Sequence, residues 1–384
     1  MSERGDGIIV ASPWDLTSAR SWSGVVLPMM DALRAEFSRV EVAPISTETA
    51  LLDRAVSRMQ GARGLAHLPS WSPPTTHRRS RSLVRALEAL PAHLPIVAIA
   101  ATPELVDVPA TRRILQITDS SFASLAATYP DFQRVPASDQ VKARRTERQV
   151  AMRTESFVVA TRWSKDRLVE DVGVPATRVH VAHFGPAIAA TADDASDERQ
   201  PPERDQLRLL FVASDWERKG GDVALAAVTE LRRRGHDIGL TVVGEVDRDL
   251  PAFVRRAGRL DRSAMSRAYL SHDALLEPTR ASAGGVVVTD ALHHGLPVIA
   301  SAIGGQTDLV VDGRTGWLVV DDGTPTPFIR VVEDRILHSE FTHFSRAALT
   351  WARGNASWGT WARAVRAALD DPTGGQSDSE VQLS

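Results

Sequence analysis

EPTRASAGGVVVTDALHHGLPVIASAIGGQTDLVVDG, Glu277 to Gly313, is the stretch on which the architecture of this chain turns. The apolar run ALLEP, from Ala274, stops at Pro278 and gives way to a loop of small residues. A helix is expected to begin near Gly284, with nothing bulky to block its N-terminus. PVIAS, from Pro297, reads as a second short buried strand, and Gly304 and Gly305 open the loop after it. Strand, small-residue loop, helix and strand make one βαβ unit, the repeating element of a parallel sheet.

The same alternation runs outward in both directions. LRLLFVAS from Leu207, a helix over Gly221 to Arg234, and IGLTVVG from Ile238 precede the stretch, and GWLVV from Gly316 follows it. The first half repeats the pattern with GIIVA from Gly7, RVEVAPI from Arg39, PIVAIA from Pro95, RILQIT from Arg113, SFVVAT from Ser156 and RVHVA from Arg178. Between the halves, Ala189 to Gln206 is acidic, contains prolines and lacks apolar periodicity, which marks a linker. The expectation is α/β throughout, in two Rossmann-like, doubly wound parallel-sheet domains: 1–190, then a linker over 191–206, then 207–352. A helix over 353–370 and a tail without order over 371–384 complete the chain. Two such domains facing a central cleft would bring the carboxyl ends of both sheets to it, where open α/β sheets bind ligands.

Composition narrows the chemistry. A formal net charge of −3 gives no global attraction to nucleic acid. The absence of cysteine removes disulfides, thiolate metal sites and a cysteine nucleophile, and fits a reducing cytoplasm. No apolar run approaches the roughly 18 residues of a membrane span. The opening MSERGDGIIVAS does not have the pattern of a signal peptide, so the expected location is cytoplasmic. No G-x-G-x-x-G follows the first strand, and none of Lys142, Lys165 and Lys219 sits in a P-loop, so any phosphate site must use another device.

VASDWERKGGD, Val212 to Asp222, supplies one at the end of a strand and the mouth of a helix. Helix N-termini attract anions through unpaired N–H groups and the helix dipole. Gly220 and Gly221 permit close backbone approach, and Arg218 and Lys219 add two cations. The loop at Gly284 and Gly285 is a second such cradle, and Asp290, one to two turns into its helix, is placed to accept from ribose hydroxyls. His293-His294 and His180-x-x-His183 have no supporting carboxylate cluster and are read as surface or cleft histidines, so no metal ligand is assigned. Thr76–Leu87 is basic with a short apolar stripe; a solvated helix face is the first reading and peripheral contact with anionic lipid the second.

With these motifs in order, the chain resembles the retaining glycosyltransferases of family 4, which have the GT-B fold. The family pattern P-[ST]-x-x-E-x-F-G-x-x-x-x-E-A-x-A-x-G-x-P-V-[IV]-A, followed by G-G, is similar to the stretch from Pro278 to Gly305. DWERKGGDVAL resembles the family's phosphate loop, and ASPWDLTSARSWSGVVLPMMDAL resembles the N-terminal loop of members carrying Trp-Ser-Gly. QITDSSFASLAATYPDF and SFVVATRWSKDRLVEDVGV resemble the matching N-domain segments, so the likeness runs from about Gly7 to Ala368. Lys219 falls on the lysine that holds the donor diphosphate, with Arg218 beside it. Gly24 falls on the small residue that lets the N-terminal loop approach diphosphate and sugar. Asp290 replaces the second glutamate, a ribose ligand, and Gly304 and Gly305 match the paired glycines. Three positions depart: Ser282 replaces the first glutamate, a sugar-hydroxyl ligand, Ser214 replaces the diphosphate arginine, and Asp119 replaces a histidine that touches the sugar. As in GT-B proteins, the helix with Trp358 and Trp361 is expected to return to the N-terminal domain.

The resemblance implies metal-independent transfer of a sugar, with retention, from a UDP- or GDP-type donor to a hydroxyl of a glycan, lipid or small molecule. No cofactor beyond this nucleotide-sugar co-substrate is implied. Arg218, Lys219, Ser282 and Asp119 would act on the reacting groups, and Asp119 would orient the sugar. Two alternatives stay open: a sugar-nucleotide-binding partner without transfer activity, which would explain Ser282, and a nucleotide-sugar epimerase, which would share the donor site without needing an acceptor site.

Overall fold

A computed structural model describes residues 6–190, 206–213, 215–320, 322–337 and 341–374. Nearly all of the expected linker (191–205), Ser214, and the tail beyond residue 374 lie outside the described residues. Two compact units result, Met1–His183 with Trp358–Ser384 and Phe184–Ser357.

The first unit is built on a six-stranded parallel sheet of β1 (Gly7–Ser12), β2 (Arg39–Pro44), β3 (Ile96–Ile99), β4 (Ile114–Thr118), β5 (Ser156–Val159) and β6 (Val179–Val181). Its spatial order is β2-β1-β3-β4-β5-β6. Every residue of β1, β3 and β5 is buried, because helices cover both faces and the inner strands can be apolar on both. The Val26–Glu36 helix buries Val26, Met29, Met30 and Leu33, and the Trp358–Asp370 helix packs against it. Arg366 fastens that contact: its guanidinium donates to Glu36 at 2.6 Å and to Asp6 at 2.7 Å, and lies 4.4 Å from the centre of the Phe37 ring. Ser156 donates to the Ala368 carbonyl at 3.0 Å, and Trp361 is wholly buried, edge-on to Trp358.

The second unit repeats the theme with β7 (Leu207–Val212), β8 (Ile238–Val243), β9 (Val254–Gly258), β10 (Ala274–Glu277), β11 (Val298–Ser301) and β12 (Gly316–Val319). Its order, β12-β11-β10-β7-β8-β9, is that of a dinucleotide-binding sheet, with the reversal between β7 and β10. Eleven of the twelve strands coincide with runs read from the sequence; β9 is the twelfth. It pairs only with β8 and exposes Arg255 and Arg256, the charged signature of a protected sheet edge.

One buried carboxyl in the first unit makes stability depend on pH. Glu147, on the Ala137–Ala151 helix, accepts from the Phe122 N–H at 2.8 Å. Burial, with a smaller contribution from Asp171, pushes its pKa up to about 7. A folded-state pKa above the unfolded one favours the protonated form, so this contribution is full in acid and is lost as pH climbs through about 7. The unfolding midpoint in denaturant is expected to fall between pH 5.5 and 8, and Glu147→Gln to flatten that slope. An identical slope in both proteins would refute the assignment.

Candidate functional site

Ligands of open α/β sheets bind outside the carboxyl ends of the strands where strand order reverses. In the second unit these are the ends of β7 and β10, and the loops leaving them are bonded together residue by residue. Arg280 N–H donates to the Arg218 carbonyl at 2.8 Å, the Thr279 hydroxyl donates to it at 3.1 Å, and the Arg218 guanidinium donates to the Ala281 carbonyl at 3.1 Å. Asp215 receives the same guanidinium at 3.2 Å. Next in line, the buried Lys219 ammonium pairs with the carboxylate of Glu277, the last residue of β10.

Gly220, at φ +72°, caps the Gly221–Arg233 helix, and a Cβ on it would lie 1.9 Å from the Pro278 carbonyl oxygen. A Cβ on Gly221 would lie 2.2 Å from the Trp216 ring. The sequence gives these glycines to an approaching phosphate; the structure gives each an occupant within the protein. The N–H groups of Lys219, Gly220 and Gly221 likewise turn back onto the carbonyls of Asp215, Glu217 and Trp216.

The β10 loop continues into the next pair of expected residues. The Ser282 carbonyl accepts from Gly305 N–H at 2.9 Å, and Gly304, at φ +53°, packs so tightly over it that a Cβ would lie 2.2 Å from that oxygen. Gly284 is buried, and Gly285, at φ +60°, caps the helix, which starts at Val286, near Gly284 as expected. The fold thus unites Arg218, Lys219, Ser282, Gly284, Gly285, Gly304 and Gly305 in one loop cluster. Two polar side chains that the sequence reading passed over belong beside them. Glu277 leaves its Oε2 without a hydrogen-bond partner, and Gln306, fully buried after Gly305, leaves both amide atoms so. Buried polar atoms are nearly always paired, which marks these as places for water or ligand. A carboxylate at the end of a predicted central strand was the available signal for Glu277; Gln306 carried none.

Asp290 stands apart from the cluster. The sequence gives it to ribose hydroxyls, whereas here its carboxylate serves the backbone and is 3% exposed. It accepts from the Ile188 N–H at 3.0 Å, and from Ala187 N–H and the Tyr269 hydroxyl. Burial pushes its pKa up to about 7 against the lowering effect of these donors and of Arg262. The neighbouring histidines are equally engaged: His293 donates to the Ala356 carbonyl, and His294 donates to the Asp290 carbonyl while accepting from Ser266.

Gly24 and Asp119 lie in the first unit, whose order reverses between β1 and β3. Ser12, ending β1, donates to the Ile99 carbonyl, ending β3, at 2.9 Å. The loops leaving both strands carry the non-glycine residues of positive φ: Trp22 at +43° and Ser23 at +60° just before Gly24 at +86°, and Ala100 at +48°. A bulky residue in this region is strained, and such strain concentrates at functional loops. Asp119 follows β4; it is half-buried, and loss of solvent raises its pKa to about 6.

Residues 206–336, which contain the whole cluster, match the family described as Glycosyl transferases group 1. The two-sheet architecture is shared, over nearly the full chain, with the solved structures of the glycosyltransferase WaaG and of a sucrose-phosphate synthase from Thermosynechococcus elongatus. The fold is GT-B. The structure of Anabaena HepE in complex with UDP and glucose aligns with TM-score 0.62 over 94% of this chain and 99% of that one, at 14% identity. Among curated relatives, the alpha-D-kanosaminyltransferase of Streptomyces kanamyceticus is 26% identical over 229 residues, 55% of this chain and 58% of its own. The D-inositol 3-phosphate glycosyltransferase of Paenarthrobacter aurescens is 28% identical over 196 residues, 46% and 48% of the two chains. The chain thus spans about half the length of the curated relatives it matches. No helix among the described residues is long and apolar enough to cross a membrane.

Proposed function

We propose that this chain is a retaining glycosyltransferase that moves a sugar from a UDP- or GDP-type donor to an acceptor hydroxyl. The observation that carries the reading is the bonded pair of loops at the β7/β10 reversal, which sets Arg218 and Lys219 inside the matched stretch 206–336. Departure of a nucleoside diphosphate creates an anion, so fixed positive charge is the main catalytic demand. Arg218 and Lys219 meet it, and the leaving phosphate then takes the proton of the acceptor hydroxyl, without a metal ion or a separate protein base. Ser282 binds a sugar hydroxyl, and Gly304 and Gly305 shape the floor beneath it; in the first unit, Gly24 and Asp119 keep the roles that the resemblance gives them. UDP and glucose in the HepE structure, and sugar transfer in the names of both curated relatives, support this donor class. The acceptor is a glycan, lipid or small molecule.

Two features favour a second reading, nucleotide-sugar binding without transfer: Ser282 lacks the carboxylate of the family pattern, and Glu277 offsets the charge of Lys219. Thermal shift with UDP, GDP and their sugar conjugates, followed by a turnover assay, separates the two, because a ligand selective for the folded state must raise its melting temperature. The expected result is stabilisation by one nucleotide series and slow donor hydrolysis or transfer that survives EDTA. Stabilisation without any turnover would establish the binding reading, and isomerised donor an epimerase. No stabilisation by any nucleotide would sink all three.

A further inference from the structure

Three polar side chains in the second unit keep hydrogen-bonding capacity that the protein does not use. Glu277 holds Lys219 through one carboxylate oxygen, and its Oε2 has no hydrogen-bond partner among the described residues. Gln306 is wholly buried and leaves both Oε1 and Nε2 unpaired among them. Ser282 is half-buried, and its hydroxyl makes no hydrogen bond among them either. Their polar neighbours are engaged. Thr279 donates to the Arg218 carbonyl at 3.1 Å, Thr307 to the Gly304 carbonyl at 2.9 Å, and Arg218 to Asp215 and to the Ala281 carbonyl.

Backbone pairing brings the three to one place. Glu277, the last residue of β10, lies beside Ala300 of β11. The loop leaving β11 turns back onto Ser282, whose carbonyl accepts from Gly305 N–H at 2.9 Å. Gln306, the next residue, is pinned on both sides: its N–H donates to the Ile303 carbonyl at 3.2 Å, and its carbonyl accepts from Val310 N–H at 3.0 Å. From Ala281 to Gly285 no side chain is longer than that of serine, so a ligand group arriving at Ser282 has little to displace.

The unused capacity identifies what it meets. Glu277 Oε2 and Gln306 Oε1 need hydrogen donors, and Gln306 Nε2 needs an acceptor. Lys219 offsets the charge of Glu277, so the set is neutral and has no charge left to attract an ammonium, which also lacks an acceptor. A hydroxyl donates and accepts at once, and two neighbouring sugar hydroxyls answer every one of these atoms. We propose that Glu277 and Gln306 bind hydroxyls of the donor sugar, the work that the family pattern gives to a carboxylate where this chain has Ser282. This inference rests on the reading of the chain as a glycosyltransferase and narrows its donor to a sugar with free hydroxyls at this point.

The test is calorimetry of the full chain with UDP, GDP, UDP-glucose and GDP-mannose. For the conjugate that binds, its 3-, 4- and 6-deoxy forms are added. In wild type at least one deoxy form is expected to bind about tenfold more weakly than its parent, because the missing hydroxyl leaves buried partners unpaired. Gln306→Met keeps the length of the side chain and removes two unpaired polar atoms, so its melting temperature should not fall below that of wild type. That variant should bind the free nucleoside diphosphate within about twofold of wild type and the parent conjugate about tenfold more weakly, and the gap between parent and deoxy form should close. Glu277→Gln keeps an accepting oxygen without its charge and should close the gap in part. If Gln306 only holds a buried water, Gln306→Met melts lower and the gap stays as wide as in wild type, which overturns the proposal. A wild type that binds UDP or GDP but does not distinguish parent from deoxy sugars also overturns it, and leaves the glycosyltransferase reading standing. Absence of binding by every nucleotide and conjugate sinks that reading and this inference with it.

Discussion

Lys219→Ala is expected to weaken UDP or GDP binding about tenfold to a hundredfold, the loss of one charge-assisted hydrogen bond worth about 1.5–3 kcal/mol. The buried pair with Glu277 complicates any reading of that single variant. Removing one partner of a buried ion pair leaves the other charge uncompensated, at a cost to stability of about 3–5 kcal/mol. A nucleotide-binding defect in Lys219→Ala alone could therefore report a damaged fold. Combining it with Glu277→Gln removes both charges, so stability should largely recover while nucleotide affinity stays low. Glu277→Gln alone should tighten nucleotide binding, because Lys219 then presents its whole charge to the diphosphate. Calorimetric affinities beside denaturant midpoints for the three variants decide the matter. If the double variant binds nucleotide like the wild type, Lys219 is a structural partner of Glu277 and not a diphosphate ligand.

What the sequence made legible follows from which interactions are local. Inner strands such as GIIVA and PVIAS are short, apolar and bounded by Pro, Gly or charge, so their period and length identify them directly. β9 escaped because FVRRAG carries two arginines, which only its place at the sheet edge permits. Motif positions were legible as places and less so as roles. Gly220 and Gly304 do sit where their spacing put them, yet what each must avoid is a carbonyl oxygen 58 and 22 residues away, at Pro278 and Ser282. No spacing rule registers a contact of that kind. Lys219 was singled out as a cation, but its charge is shared with Glu277, a partner set by the pairing of β7 with β10. Trp22, Ser23 and Ala100 show the same limit in the backbone, since nothing in their identity announces a positive φ.

Asp290 tests the limit most severely, because motif and structure give it different work. As a ribose ligand, its carboxylate would contribute to nucleotide affinity. As placed, it receives the N–H groups of the half-buried Ile188 and the buried Ala187, and the hydroxyl of the buried Tyr269. Asp290→Ala would orphan those three donors, two of them on buried residues, and at about 1–3 kcal/mol for each unsatisfied group the expected destabilisation is about 3–5 kcal/mol, allowing for water entering the vacated space. Asp290→Asn keeps the size and one accepting oxygen, so it should fold and retain most of that stability. Its effect on pH dependence should be plain. The Asp290 pKa is raised to about 7 by burial, so its contribution to wild-type stability is full in acid and lost as pH rises through 7. The asparagine variant cannot titrate and should lose less stability than wild type between pH 5.5 and 8. Nucleotide affinity then separates the roles. A folded Asp290→Asn that binds UDP or GDP within about twofold of wild type assigns the carboxylate to the backbone at Ala187 and Ile188. A tenfold loss of affinity, about 1.4 kcal/mol, in a variant of undiminished stability would return Asp290 to the ribose.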